Sequence, residues 1–204
     1  VPAAIDGLSA PLALDLRDVR SGGRWSRPQR FKNGLLLIAI RAALVLADRI
    51  PFALLEWVLR RLGVAYHALD RRARMRARRA IREQLPDCDA ERLTRECFEQ
   101  LGSTLAETLM LRRPRFSAMA LVHVDDVDRR ALEDALGRGY GAVVVSAHLG
   151  AFELVPAVVA ELGLRPAVVV RESYDPRLDA DVDRHRLLRG VRVVHRGKPG
   201  AGIA

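Results

Sequence analysis

The sequence predicts an α/β fold, a parallel or mixed sheet flanked by helices and preceded by a helical region, and three features carry that expectation. A β-branched apolar run at 142–146 is followed by a helical stretch at about 151–162, a turn at Gly163 and a second β-branched run at 167–171. That alternation is a βαβ unit, whose strands belong to a parallel or mixed sheet. Residues Leu93, Cys97, Leu101, Leu105 and Leu109 recur every four positions, with Phe98 and Ala106 widening the stripe, as in an amphipathic helix packed on a core. Half of the 204 residues are hydrophobic, enough for one domain with a sizeable core.

In chain order, residues 1–30 mix Pro, Gly, Ser, Asp and Arg without sustained periodicity and read as a flexible tail. From Phe31 the character changes. An apolar helix is expected over 34–47, interrupted by Arg41, and a second one from Phe52, ending near Gly63. A bilayer-spanning helix needs about 20 apolar residues, and the first run falls short. The pair fits either a membrane interface, with Trp57 and arginines at the helix ends, or an ordinary buried helical pair.

A basic helix follows at 68–84, with Arg71, Arg72, Arg74, Arg76, Arg78, Arg79 and Arg82 around it and Pro86 as its stop. It reads as a solvated surface or an anionic-lipid contact. Asp89 is placed to cap the long helix 90–111, on whose stripe Cys97 is expected as a small buried hydrophobe. A short strand is expected at 121–127 and a helix at 129–136, closed by a glycine-rich turn, 137–141, that lacks the Lys-Ser/Thr of a phosphate loop. After the βαβ unit come a helix at 176–188 and a strand at 191–194. The organisation is thus a tail (1–30), a helical region (31–112) and an α/β core (113–204).

The formal net charge is +9 and the sequence pI about 10.8, with Lys32 and Lys198 as the only lysines. Arginine-favouring codon usage accounts for this, or an anionic membrane surface, an acidic partner protein or nucleic acid as ligand. Aromatics are only 5% and are not interleaved with the arginines, so no nucleic-acid platform is expected. Cys88 and Cys97 match no metal spacing and suit a reduced, cytosolic setting. Nothing in the first 30 residues has the form of a secretory signal, and both chain ends look cut within a longer sequence.

The chemistry points to His148 and Glu153, at the junction between the 142–146 run and the helix after it. Five positions on one helix would separate them by roughly 140°. With His148 in the turn and Glu153 in the first helical turn, the carboxylate can hold one imidazole nitrogen and leave the other as a base. The alternative is a capping histidine beside a surface glutamate. Ser146 lacks the glycines of a nucleophile elbow. No metal is expected, since no His-Glu-x-x-His spacing is present.

The segment His148-Leu-Gly-Ala-Phe-Glu153 resembles the His-x4-Asp/Glu motif of glycerolipid acyltransferases. Its setting, after Gly-x-Gly, an apolar strand and Ser-x-His-x-Gly, is most similar to the lipid A biosynthesis late acyltransferases, the lauroyl/myristoyl family. The order of the N-terminal helices, the basic helix ending at Leu85-Pro86 and the long 93–109 helix resembles that family too. So does Val170-Arg171-Glu-Ser-Tyr-Asp175-Pro176-Arg-Leu-Asp179, similar to its Arg-Pro-x-Asp-Asn-Pro-x-x-Asp segment, with Arg186 fifteen residues beyond Arg171. Ala80, Ala151, Glu172 and Asp175 depart from it.

What the resemblance implies is an inner-membrane enzyme on the cytoplasmic face, with a glycerolipid-acyltransferase-like mixed sheet and membrane-contacting N-terminal helices. It would transfer a fatty acyl chain from acyl carrier protein, or acyl-CoA, to a glycolipid hydroxyl, without a further cofactor. In it His148 is the general base, Glu153 orients it, and Arg171 and Arg186 bind phosphate or the tetrahedral intermediate. The other arginines are read as surface charges. The family continues past Ala204, so the C-terminal part of the fold is expected to lie outside this sequence. A phosphatidylinositol mannoside or another glycolipid or lysophospholipid is an alternative acceptor. A non-catalytic basic protein binding membrane surfaces or nucleic acid is the rival from another class.

Overall fold

The computed structural model describes residues 24–171, 173 and 175–196. Its first half is four helices: α1 (Arg27–Ala47), α2 (Phe52–Leu69), α3 (Arg71–Gln84) and α4 (Ala90–Met110). Each boundary has a local cause. The α1 helix begins inside the stretch read as tail, because Ser26 and Gln29 form a capping box: Gln29 N–H donates to Ser26 Oγ, and Ser26 N–H donates to Gln29 Oε1 at 3.0 Å. Pro28 lies in the first turn, where its missing N–H costs nothing. Asp70 ends α2 and caps α3, its carboxylate accepting from Ala73 N–H at 2.9 Å, so the basic helix starts later than position 68. Asp89 caps α4 as expected, accepting from the amides of Glu91 and Arg92 at 3.0 Å.

Helices α2 and α4 pack at close range. A Cβ on Gly63 would strike the Phe98 carbonyl, and one on Gly102 would strike the Leu59 carbonyl. The buried face of α4 is therefore Ala90, Thr94, Phe98, Gly102, Ser103, Ala106 and Met110. Phe98 and Ala106 are buried as expected, and the rest of the stripe is corrected: Leu101 is 54% and Leu105 47% exposed, and Cys97 is exposed rather than buried. Periodicity finds an amphipathic helix by its large apolar residues. Here Gly102, Ser103 and Ala106 share the buried face with Phe98 and Met110, because close approach of the partner's backbone demands small residues at the contact. Polar links flank the seam, from Ser103 Oγ to Glu56 at 3.1 Å and from Arg60 to Glu99 at 2.7 Å. Tyr66 and His67 rest on Phe98 with ring centroids 5.3 and 5.4 Å away.

The second half departs further from expectation. Residues 121–127 form no strand: a 3₁₀ turn (Ala118–Ala120) precedes them, and α5 (Asp126–Gly137) starts within them. The 142–146 run is also not a strand; it is unpaired, with Val143 94% and Val145 91% exposed. Next come α6 (Leu154–Glu161), β1 (Ala167–Val170), α7 (Pro176–Leu188) and β2 (Arg192–His195). The two strands pair in parallel, Ala167 opposite Arg192 and Val170 opposite His195. The βαβ unit thus exists one step later than expected, with α7 as its crossover, and the small parallel sheet is consistent with the α/β class. A β-branched run becomes a strand only where another edge satisfies its amides, and among the described residues none meets 142–146.

Leu154, Ala157 and Val158 of α6 pack on Ala118, with Leu121, Val122 and Val124 against them. Glu161 fastens this layer, accepting from Ser117 Oγ at 2.7 Å and from the amides of Ala118 and Met119 at 2.8 and 3.2 Å. Partial burial would raise its pKa, but these donors outweigh burial and hold the carboxyl below its ordinary value.

Guanidinium groups tie the halves together. Arg112 holds Asp48 at the end of α1 through two contacts of 3.2 and 3.1 Å and meets His185 Nε2 of α7 at 2.6 Å. Arg113 donates to the carbonyls of Ala47, at 2.8 Å, and Ile50. Arg189 donates to the carbonyls of Leu111, at 2.7 Å, Phe116 and Arg113. Arg41 of α1 reaches Asp181 of α7 at 2.8 Å. No helix among the described residues is long and apolar enough to cross a membrane.

Two outcomes test this account. Gly102→Val should destabilise the chain by about 1–3 kcal/mol, the usual cost of overpacking, measured by urea unfolding. Burial and the adjacent Arg112 hold the His185 pKa below the ordinary 6.5. The unfolded state therefore binds a proton first as the pH falls. Stability should drop as pH decreases through about 6.5 and level off below the folded-state value. His185→Gln, which keeps an acceptor for Arg112, should flatten that segment of a thermal-midpoint profile.

Candidate active site

Glu153 caps the start of α6 with helical dihedrals, and its carboxylate receives both arms of one arginine: Arg186 Nε donates to Oε2 at 3.1 Å, and Nη2 donates to Oε1. This two-point geometry is the strong, directional form of the carboxylate–guanidinium pair. Arg186 comes from the last turn of α7, so the contact joins α6 to α7 across 33 residues of sequence. The third nitrogen of Arg186, Nη1, donates to Asp183 Oδ1 at 3.3 Å, and His195 Nε2 stands 2.7 Å from Asp183 Oδ2. The four side chains are each about one-fifth exposed, so little water competes for these contacts.

His148 stands apart from that row. It is exposed on the loop before α6, its ring 4.3 Å from that of Phe152 and tilted by 42°. No hydrogen bond joins it to Glu153 among the described residues, which differs from the expected pairing of imidazole and acid. Two causes are visible. Gly150, at φ 59°, turns the loop in the left-handed region. And a guanidinium offers Glu153 a full charge with two parallel donors, which an imidazole does not match. The carboxylate still has unused acceptor capacity, since two oxygens can take about four hydrogen bonds and Arg186 uses two.

Arg171 is exposed and follows the last residue of β1. Val170 is opposite His195, and Arg196 N–H donates to the Val170 carbonyl at 2.8 Å. Arg171 therefore leaves the sheet at its carboxyl edge, beside the end of β2 where His195 begins the row to Glu153. In open parallel sheets that edge is where ligands bind. Of the sequence candidates, Glu153 and Arg186 are in contact, Arg171 emerges at the same edge, and His148 lies on the adjoining loop. Asp183 and His195 were missed. Asp183 was within reach as an i, i+3 partner of Arg186; His195 had no local signal, because only the strand register brings it to α7. Among the described residues no group of three His, Cys, Asp or Glu side chains is arranged to hold a metal, and Ser146 Oγ donates to the neighbouring Ala147 carbonyl at 3.2 Å.

A family model described as bacterial lipid A biosynthesis acyltransferase matches residues 28–199. The chain belongs to that family. The match takes in all four helices of the first half, the His148 loop and the Arg186 row. No curated protein and no solved structure matches the chain. Membership makes it an acyltransferase of the lipid A type, with a lipid as acceptor substrate.

Removal of Arg186 alone would leave Glu153 and Asp183 without their shared cation in a poorly hydrated row. Arg186→Met should destabilise by about 1.5–3 kcal/mol, the range for hydrogen bonds to charged groups. The double variant Arg186→Met with Glu153→Leu should recover part of that loss in a double-mutant cycle read by urea unfolding.

Proposed function

We propose that this acyltransferase moves a fatty acyl chain from a thioester donor, acyl carrier protein or acyl-CoA, to a hydroxyl of a lipid A precursor, with His148 as the general base. The observation that supports this reading best is the position of His148, exposed on the loop that enters α6, five residues before an acid already anchored by Arg186. The acceptor hydroxyl loses its proton to the imidazole as its oxygen attacks the thioester carbonyl carbon. The resulting oxyanion collapses, the carbon–sulfur bond breaks, and the thiolate takes the proton back. Glu153, through its remaining lone pairs, orients the imidazole and supports its protonated form. Arg171, exposed at the sheet edge, and the unused N–H groups of Arg186 supply donors for an anionic oxygen of the substrate or the intermediate. No cofactor is needed beyond the donor thioester.

The same reading places the protein on the cytoplasmic face of the inner membrane. Phe31 is 71%, Ile38 66%, Leu62 58% and Leu69 85% exposed on α1 and α2. Arginines of α3 beside this apolar surface suit anionic headgroups or an acidic carrier protein. A phosphatidylinositol mannoside acceptor would use the same base and the same donor chemistry.

The test is acyl transfer from acyl carrier protein to a lipid A precursor by the full-length protein. His148→Ala should lower kcat by about 10²–10⁴-fold, the contribution of a positioned acid–base group, with an unchanged melting curve. Full activity in that variant would remove His148 from the mechanism.

A further inference from the structure

We propose that Asp183 and His195 are positioning residues that hold the Arg186 guanidinium in the one orientation that both clamps Glu153 and leaves two N–H groups pointing to an anionic oxygen of the substrate. The inference deepens the acyl-transfer reading and rests on it for the substrate, while its geometric half stands independently.

An arginine side chain has five N–H donors in a rigid fork. Three are used here: Nε and one on Nη2 by Glu153, and one on Nη1 by Asp183. Glu153 alone would fix the plane of the fork but permit the long aliphatic stem to pivot about that contact. Asp183 removes the pivot by engaging the third nitrogen from the other side. Asp183 is itself held at both oxygens, Oδ1 by Arg186 and Oδ2 by His195 at 2.7 Å. Since a carboxylate only accepts, His195 Nε2 carries the proton in that contact. His195 Nδ1 is buried without a partner, so the imidazole is aimed by its strand position and by Asp183, with no competing contact among the described residues.

The row crosses three elements: β2 gives His195, α7 gives Asp183 and Arg186, and the start of α6 gives Glu153. It begins at the carboxyl end of the sheet, next to where Arg171 emerges. Two guanidiniums at one edge, one of them locked, form a frame for a substrate bearing an anionic oxygen. A phosphorylated glycolipid and a thioester-derived oxyanion share that chemistry.

The test uses the full-length protein with three variants. In His195→Gln, the side-chain amide N–H can replace Nε2–H towards Asp183. His195→Leu fills the space without a donor, and Asp183→Asn removes the charge while keeping the shape. Melting curves establish that each is folded. Arginine Nη–H resonances, assigned by their loss in Arg186→Met, read the lock without substrate: the protected Arg186 Nη1 signal should persist in wild type and in His195→Gln and exchange rapidly in His195→Leu and Asp183→Asn. In the transfer assay, His195→Leu and Asp183→Asn should lose about tenfold or more in kcat/KM, as for a reactive group misplaced by part of an ångström, and His195→Gln should stay within about threefold of wild type. To separate the bound group, phosphorylated and dephosphorylated acceptors are compared. A loss confined to KM for the phosphorylated acceptor identifies its phosphate, and a loss in kcat with both identifies the oxyanion. A protected Arg186 signal together with unchanged kinetics in folded His195→Leu would overturn the proposal. A protected Arg186 signal in wild type, lost in His195→Leu and Asp183→Asn, in a protein that transfers no acyl group would instead leave the lock standing and refute the acyl-transfer reading.

Discussion

Guanidinium groups, rather than one continuous apolar core, join the halves of this molecule. The apolar cluster of the helical half, around Ala47, Leu55 and Ala106, is distinct from that of the second half, around Ala118, Leu154, Ala157 and Val158. Between them stand Arg112, Arg113 and Arg189. Arg189 gathers three backbone carbonyls after α4, and Arg113 gathers two at the α1–α2 turn. These carbonyls end helices or lie in turns, where helical amides no longer supply the full set of donors; Ala47 and Arg113 each accept one turn amide beside the guanidinium. A planar fork of five donors on a long stem reaches several spaced carbonyls at once, where lysine offers three donors around a single point and an apolar side chain offers none.

This changes the meaning of an arginine-rich composition. Read as a sum, the charge suggests codon usage or an anionic partner, and single arginines outside the resemblance read as surface groups. The side chains of Arg112, Arg186 and Arg189 are only 17%, 18% and 13% exposed. They act as structural cross-links, each with several acceptors. The arginines of α3 differ, as that helix has no buried residue at all. The same residue type therefore serves as a backbone clamp in the joint, as an anchor for Glu153 in the site, and as a charged face on α3.

The site inherits its stiffness from that joint. Arg186 lies three residues before Arg189 on α7, so the clamp on the α4 end and the clamp on Glu153 share one helical turn. His185, the residue before Arg186, meets Arg112. Fixing α7 against α4 thus fixes the height at which Arg186 meets the start of α6. His148 lies outside this scaffold on a glycine-turned loop, against Phe152, while the acid is held by Arg186.

Much of the local structure was legible in the sequence because its causes are local. Asp89 as a cap, Pro86 as a stop, the helix at 176–188 and the strand at 167–171 follow from side chains within a few residues of the element they shape. The family was legible through resemblance, which also put forward His148, Glu153, Arg171 and Arg186 as candidates. The face of α4, the fate of the 142–146 run and the partners of Glu153 were not, since each depends on which distant surface arrives. Gly63 and Gly102 decided the first by admitting a backbone, an absent strand edge decided the second, and α7 decided the third by delivering Arg186. Sequence alone determined which residues were available for chemistry and where α4 and α7 begin. Only tertiary structure determined that the acid binds a guanidinium and that His195, forty-two residues from Glu153, completes its support, because hydrogen-bond geometry across elements follows packing and not spacing.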